Sequence, residues 1–173
     1  MPSIKILAFT GLRPHKLPWG TNEEHPACLS LQMAIRERLI WLIENENVRH
    51  MISGMAMGID MICAELVLEL KNICPDVTLE AAIPCRGQDL LWSQKYRNRY
   101  GQILERCDSI HVVSEEYTDD CMERRNKYMV DKCDLLLAVW NGKPGGTGNT
   151  ISHAKKQGKQ IIMIDPFNLT DKG

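Results

Sequence analysis

The sequence predicts an α/β domain: a doubly wound, mostly parallel sheet with helices on both faces. Strand-like apolar runs alternate with helix-like segments along the 173 residues, which is typical of this class. One run, Leu135–Trp140, is almost wholly apolar, as expected of a central strand buried on both faces. The length suits one core, so we expect a single domain over residues 1–173, with a loose tail at 166–173.

The strands are short apolar runs bounded by polar or glycine-containing turns. The first follows the N-terminal residues directly, and the last precedes Pro166. Five of these strands are followed by a predicted helix, or by a turn that leads into one. Strands connected through helices in this way run parallel, so their carboxyl ends meet at one edge of the sheet. The predicted strands are Ile4–Phe9, Arg49–Ile52, Val77–Ile83, Ser109–Ser114, Leu135–Trp140 and Gln160–Ile164.

The helices are indicated by apolar residues at helical spacing and by helix-ending residues. In the first, Leu31, Ile35 and Leu39 recur on one stripe with charges between them, so this stripe faces the core. Pro75 ends the second. The predicted helices are Pro26–Asn47, Met57–Ile73, Gln88–Arg106, Asp119–Lys132 and Thr147–Gln157.

Composition limits the class of partner. The 21 basic and 22 acidic residues give a net charge of −1, and 6% of residues are aromatic, which argues against nucleic acid. The seven cysteines show no metal-ligand spacing, so we expect reduced thiols and no metal. Neither a leader nor a membrane-length apolar run is present in the sequence, so we expect a cytoplasmic protein without a membrane partner.

Two glycine-rich turns follow predicted strands, at Ser53–Asp60 and Pro144–Thr150. Glycine permits close approach of a ligand, and free N–H groups at the start of the next helix attract anions. A lone turn of this kind is more simply a tight strand-to-helix connection. Two on the carboxyl edge of one sheet, with the Thr10–Pro14 turn beside them, favour one phosphate-binding pocket.

Two common phosphate-binding motifs are missing. The dinucleotide fingerprint places GxGxxG after the first strand, where this chain has Thr10–Pro14. The second turn lacks the GK[ST] step of a P-loop. The pattern therefore favours neither an NAD domain nor a Walker ATPase, and no cofactor is required beyond a nucleotide-like ligand.

Several side chains can contribute to this pocket, each with a structural alternative. Arg13 can clamp a phosphate or lie on the surface, and Asp60 can bind ribose or act as a base, although capping its helix is simpler. Arg124 and Arg125 can reach a phosphate or remain solvated. The predicted ligand-binding residues are Thr10, Gly11, Arg13, Ser53, Gly54, Gly58, Asp60, Gln88, Trp92, Gly145, Gly146, Thr147, Gly148 and Thr150.

The motifs, taken in order, resemble the YpsA-like branch of the SLOG superfamily. They are the Phe9–Leu17 segment, the Ser53–Asp60 turn, Ile83–Cys85 with Gln88 and Trp92, Arg125–Asn126 with Met129–Asp131, and the Gly145–Thr150 turn. The resemblance implies a Rossmann-like fold related to DprA and the LOG phosphoribohydrolases. It also implies a nucleotide-derived ligand in the glycine-lined crevice, and a homodimer as one form of assembly.

The chain departs from the LOG hydrolases at the second turn. Those enzymes resemble PGGxGTxEE there, with a catalytic glutamate, whereas this chain continues as Ile151-Ser152-His153. A replacement carboxylate would have to come from Asp60, Glu115 or Glu116, of which the last two are more simply a solvated loop. Whether the chain is an enzyme stays open at this point.

Three functions follow from these patterns. The leading one is binding of a nucleotide or nucleotide-derived small molecule, in sensing or signalling. The alternative is an N-glycosidic hydrolase acting on nucleoside monophosphates. The third is DprA-like binding of single-stranded DNA, ranked last because of the net charge and the few aromatic residues.

Overall fold

The computed structural model describes residues 3–169, which form one parallel sheet flanked by helices. A short 3-10 helix, Pro14–Lys16, follows the first strand. The strands are β1 (Lys5–Gly11), β2 (Val48–Ser53), β3 (Thr78–Cys85), β4 (Ser109–Ser114), β5 (Leu135–Val139) and β6 (Gln160–Ile164). The helices are α1 (Pro26–Asn45), α2 (Ile59–Leu70), α3 (Gln94–Arg106), α4 (Cys121–Lys132) and α5 (Gly146–Lys156).

The sheet has the order β4-β3-β2-β1-β5-β6, and every pair of neighbours is parallel. The chain builds outward from β1 to β4, then crosses back to β5 beside β1. The strand order therefore reverses between β1 and β5, where the loops that follow these strands diverge. This confirms the predicted Rossmann-like, doubly wound α/β class.

The sheet separates two apolar layers because successive residues of a strand face opposite sides. In β1, Leu7 and Phe9 pack in the larger cluster with residues of α1, α2 and α3. Ala8, between them, belongs to the second cluster, with residues of α4 and α5. Both faces of β5 are buried, as its apolar run predicts.

One predicted helix boundary differs clearly from the structure. The prediction begins a helix at Gln88, whereas α3 begins at Gln94. Gly87 adopts φ +76 and its carbonyl accepts the Leu90 N–H at 3.1 Å, which starts a run of turns. Helical composition alone does not show these local bonds, which use the backbone groups that a helix would need.

The last described residues continue from β6 as turns. In the predicted tail, Pro166 is buried and Leu169 packs against the larger core cluster. The remainder of that prediction, 170–173, lies outside the described residues. Between residues 3 and 169, no helix has both the length and the apolar character needed to span a bilayer.

Candidate functional site

A cleft of about 510 Å³ opens at the carboxyl edge of the sheet, where the strand order reverses between β1 and β5. The end of β1, the 3-10 helix, α4 and the start of α5 contribute its walls. The cleft is lined by Thr10, Gly11, Leu12, Arg13, His15, Lys16, Ala56, Asp60, Met122, Arg125, Asn126, Met129, Trp140, Asn141, Lys143, Pro144, Gly145, Gly146, Thr147 and Phe167.

The second glycine turn forms an open helix N-terminus in this cleft. No side chain caps α5 at Gly145, and its first turn contains no acidic residue. The first N–H groups of a helix have no acceptor within the helix, so they attract an anion. A Cβ added at Gly146 would meet nothing within 4 Å, so space is free beside these donors.

The first glycine turn is filled by the protein's own side chains. Asp60 is buried, and its Oδ2 accepts the Ala56 N–H at 3.2 Å. Ser53 Oγ donates to the Asp60 carbonyl at 2.8 Å and accepts the Met55 N–H at 3.2 Å. The Asp60 carboxylate thus occupies a position at this turn that an external anion would need.

Close packing explains two glycines of this first turn. A Cβ at Gly54 would lie 2.7 Å from Arg125 Nη1 and 2.9 Å from Asp60 Oδ2. Gly58 adopts φ +93, and a Cβ there would lie 2.6 Å from the Leu12 carbonyl oxygen. These glycines permit contacts within the fold, and neither lines the cleft.

Arg125 supplies a buried guanidinium at the cleft. Its side chain is almost fully buried, with Nη1 donating to the Gly54 carbonyl at 2.5 Å and Nε donating to Asn126 Oδ1 at 2.8 Å. Burial lowers the pKa of Arg125, but an arginine keeps its charge at neutral pH. Burial raises the pKa of Asp60, against the opposing effect of the Arg125 charge.

The cleft is strongly cationic. Arg13, Lys16, Arg125 and Lys143 line it, and Asp60 is the sole carboxylate among its lining residues in the described range 3–169. None of the four cations forms an ion pair with a described carboxylate. Elsewhere, Arg36, Arg86 and Arg99 each pair with a glutamate.

The structure brings half of the predicted ligand-binding residues to this cleft. The predicted residues that line it are Thr10, Gly11, Arg13, Asp60, Gly145, Gly146 and Thr147. Those that do not line it are Ser53, Gly54, Gly58, Gln88, Trp92, Gly148 and Thr150. For both groups, a role in ligand binding remains a prediction.

The residues away from the cleft have structural contacts. Trp92 makes an edge contact with Tyr100 at a centroid distance of 5.3 Å, and Gln88 Nε2 lies 3.4 Å from the Gly54 carbonyl oxygen. Thr150 Oγ1 donates to the Gly146 carbonyl at 2.9 Å, and a Cβ at Gly148 would lie 3.1 Å from Trp140 Cζ2. Of these residues, Gln88 contacts the first glycine turn and Thr150 the second, each from outside the cleft.

Of the three carboxylates that could act as a catalytic acid or base, only one lines the cleft. Glu115 pairs with Arg86 at 2.6 Å, and neither Glu115 nor Glu116 lines the cleft. Asp60 does line it, with one oxygen bonded to the Ala56 N–H. The hydrolase alternative therefore depends on Asp60 alone among these three, and it stays a prediction.

The cleft has lining residues that the sequence did not assign to ligand binding, among them Lys16, Lys143, Trp140 and Phe167. Lys16 and Lys143 each lie within three residues of a predicted site residue, which was a usable signal. Trp140 was assigned to the end of a buried strand and Phe167 to the tail. Their place at the cleft follows from the pairing of β5 with β6, which brings residues 140 and 167 to one edge.

Comparison with known proteins gives a fold relative. DNA processing protein A from Helicobacter pylori, a protein described for its unique single-stranded DNA binding mode, matches with a TM-score of 0.53 and 18% identity. The match covers 92% of this chain and 64% of that chain, so this chain spans less than two thirds of its length. At this identity the likeness shows the shared fold.

This finding corrects the predicted partner, which was a small nucleotide-derived molecule, with nucleic acid considered unlikely. That judgement was wrong, because a protein of the same fold is described as binding single-stranded DNA. A net charge of −1 averages the whole surface, whereas a phosphate chain meets one local surface. The four cations of the cleft show that a chain with a net charge of −1 can still contain a local cationic site.

Sequence comparison gives the family. UPF0398 proteins of Bacillus cereus (strain ATCC 14579) and Halalkalibacterium halodurans are 29% and 28% identical to this chain, over 159 and 173 residues. These matches cover 90% and 96% of this chain, and 85% and 90% of the relatives. A model of the YspA SLOG family matches residues 7–169. The chain therefore belongs to the YspA SLOG family, as its motifs predict.

Proposed function

We propose that the cleft binds the phosphate groups of single-stranded DNA and holds one nucleotide of the strand at a time. The observation that carries this proposal is the charge of the cleft. Four cationic side chains, Arg13, Lys16, Arg125 and Lys143, line it against one carboxylate, Asp60, and none of the four lies within ion-pair distance of a described acidic side chain.

Of the four cations of the cleft, Arg125 attracts an anion most strongly. A buried charge loses hydration, and its electrostatic attraction is less screened than at the surface. Its bonds to the Gly54 carbonyl and Asn126 satisfy donors without neutralising the charge. Asp60 offsets part of this charge and Arg13 adds a second positive charge nearby, so the arginines together attract a phosphate in the cleft.

The start of α5 supplies directional donors for the same phosphate. Its first N–H groups are uncapped by side chains, and Gly146 leaves the space before them free. A Cβ at Gly145 would lie 3.0 Å from Lys16 Nζ, so this ammonium group lies next to the same helix end. Backbone donors and a lysine thus converge on one position.

The size of the cleft favours an unpaired strand. A volume of about 510 Å³ is in the range of small-ligand pockets and suits one nucleotide rather than a base pair with two backbones. The shared fold with a protein described as binding single-stranded DNA supports the same class of ligand. We therefore expect the strand to present one unpaired nucleotide to the cleft.

Fluorescence anisotropy with a labelled oligothymidylate of about 16 nucleotides tests this proposal. Affinity should fall steeply between about 50 mM and 200 mM salt, because phosphate contacts release counterions. Lys16→Gln and Lys143→Gln should each weaken binding several-fold. Each should also reduce the steepness of the salt dependence by about 0.7 per lost phosphate contact.

Lys95→Gln is the matched control, since Lys95 is exposed on α3 and does not line the cleft. It removes the same charge and should leave both affinity and salt dependence unchanged. A duplex of the same sequence should bind more weakly than the single strand. The proposal is wrong if the strand does not bind at low salt, or if only free thymidine monophosphate occupies the cleft.

A further inference from the structure

Phe167 presents an exposed aromatic ring at the cationic cleft. It lines the cleft and is 57% exposed, whereas the other phenylalanine of the chain, Phe9, is fully buried. Exposing so much apolar area forgoes the stabilisation that burial would give. The ring is therefore available to a ligand in the same cleft as the phosphate donors.

The backbone around Phe167 is anchored on both sides. The Phe167 N–H donates to Asp165 Oδ1 at 2.9 Å, which closes a tight turn directly after β6. Pro166 is buried, and Leu169 packs against the core. Holding the ring on such a turn reduces the entropy lost when a ligand contacts it.

Trp140, the other large aromatic of the cleft, has a different role. Its Nε1–H donates to the Lys143 carbonyl at 2.8 Å, and its ring packs against the Gly148 position of α5. The Trp140 N–H also donates to the Ile164 carbonyl at 3.0 Å. Trp140 thus holds the loop that carries Lys143 beside the start of α5, and we regard it as a positioning residue.

We propose that the ring of Phe167 is the surface on which one base of a bound single strand stacks. This inference rests on the proposed function and adds the site for the base to the site for the phosphate. Single-stranded DNA is commonly bound by a cationic groove combined with aromatic faces. Because every base has a π-face, stacking on Phe167 predicts binding that depends on a base being present but little on its identity.

The test compares two strands of equal length and charge, an oligothymidylate and an abasic sugar-phosphate chain. Wild-type protein should bind the strand with bases more tightly. Phe167→Ala and Phe167→Leu should weaken binding of that strand roughly tenfold or more, because neither side chain can stack. Both should bind the abasic strand as wild type does. Phe167→Tyr should restore the preference for bases.

The salt dependence separates this inference from the proposed function. Phe167 variants remove no charge, so the salt slope should stay at the wild-type value, whereas Lys16→Gln should reduce it. If wild type binds both strands and Phe167→Ala binds both equally well as wild type, or loses both equally, stacking on Phe167 is wrong while phosphate binding stands. If wild type binds neither strand, both proposals are wrong.

Discussion

Arg125 shows how a residue of ordinary appearance in the sequence becomes central in the structure. It lies on α4, in a charged segment typical of a solvated helix, yet it is almost fully buried. Its Nη1 donates a hydrogen bond to the carbonyl of Gly54 in the first glycine turn, 71 positions earlier in the chain. The absence of a Cβ at Gly54 is what leaves room for this contact.

Gly54→Ala should therefore destabilise the protein. The new methyl group would lie 2.7 Å from Arg125 Nη1 and 2.8 Å from its Cζ, and the buried guanidinium has little room to shift. Overpacking of this kind costs about 1–3 kcal/mol in the free energy of unfolding, measured by urea denaturation. Gly101→Ala is the control.

Gly101 lies in α3, and a Cβ there would meet nothing within 4 Å. Its replacement by alanine should stabilise the helix by about 0.5–1 kcal/mol. Equal unfolding free energies for the two variants would contradict the packing argument at Gly54.

At the scale of elements, the two glycine turns resemble each other in sequence but differ in structure. The turn before α2 is filled by Asp60, whose carboxylate accepts the Ala56 N–H. The turn before α5 has no side-chain cap and no acidic residue in its first helical turn. Neither helix has a side-chain cap, but α2 carries the Asp60 carboxylate in its first turn, whereas the first turn of α5 has no negative charge to compete with an external anion.

Gly146→Ala tests the open helix start without disturbing the fold. The added methyl group meets nothing in the structure, so the unfolding free energy should equal or slightly exceed the wild-type value. Because it occupies space before the first donors of α5, binding of oligothymidylate should weaken several-fold.

Gly101→Ala serves again as control and should leave the affinity unchanged. Wild-type affinity in Gly146→Ala would show that the phosphate does not approach this helix end.

At the scale of the whole molecule, charge is distributed unevenly over a nearly neutral chain. The cationic cleft lies at the carboxyl edge, while Glu80, near the start of β3, joins three elements through ionic contacts. Glu80 is buried and accepts hydrogen bonds from His50 at 2.8 Å, Lys132 at 2.7 Å and the hydroxyl of Tyr128. Glu80 thus links β2, β3 and α4 through charges that do not line the cleft.

Stability in acid should depend on Glu80. Burial alone would raise its pKa, but the hydrogen bonds from His50, Lys132 and Tyr128 lower it from 4.5 to about 2. A carboxyl group with a lowered pKa in the folded state stabilises the fold above its unfolded pKa, and this contribution is lost as pH falls from about 4.5 towards 2. The loss is on the order of 3 kcal/mol.

Urea unfolding followed from neutral pH down to about pH 3 measures this effect against Glu80→Gln. The variant should be less stable at neutral pH, and the difference from wild type should shrink as the solution becomes acidic. Asp60, whose pKa is raised by burial, acts in the opposite sense, but it is present in both proteins and cancels in the difference. Exposed Glu44→Gln is the control. A difference independent of pH would contradict the role of Glu80.

The sequence by itself determined the class of fold and the edge of the sheet at which the cleft lies. Alternating apolar runs specify strands and helices through local periodicity, and parallel strands joined by helices place their carboxyl ends together. The family follows from motifs in the same order, such as the Ser53–Asp60 and Gly145–Thr150 turns.

Only the tertiary structure decided which of these turns is open and which charges are free. Arg125 meets Gly54, and Phe167 reaches the cleft beside Trp140, because the order of strands brings distant segments to one edge. Neither the net charge nor the local spacing of residues in the sequence specifies these long-range contacts. The predicted partner was wrong for that reason. Electrostatic recognition depends on how charges are arranged in space, and the net charge of −1 does not describe that arrangement.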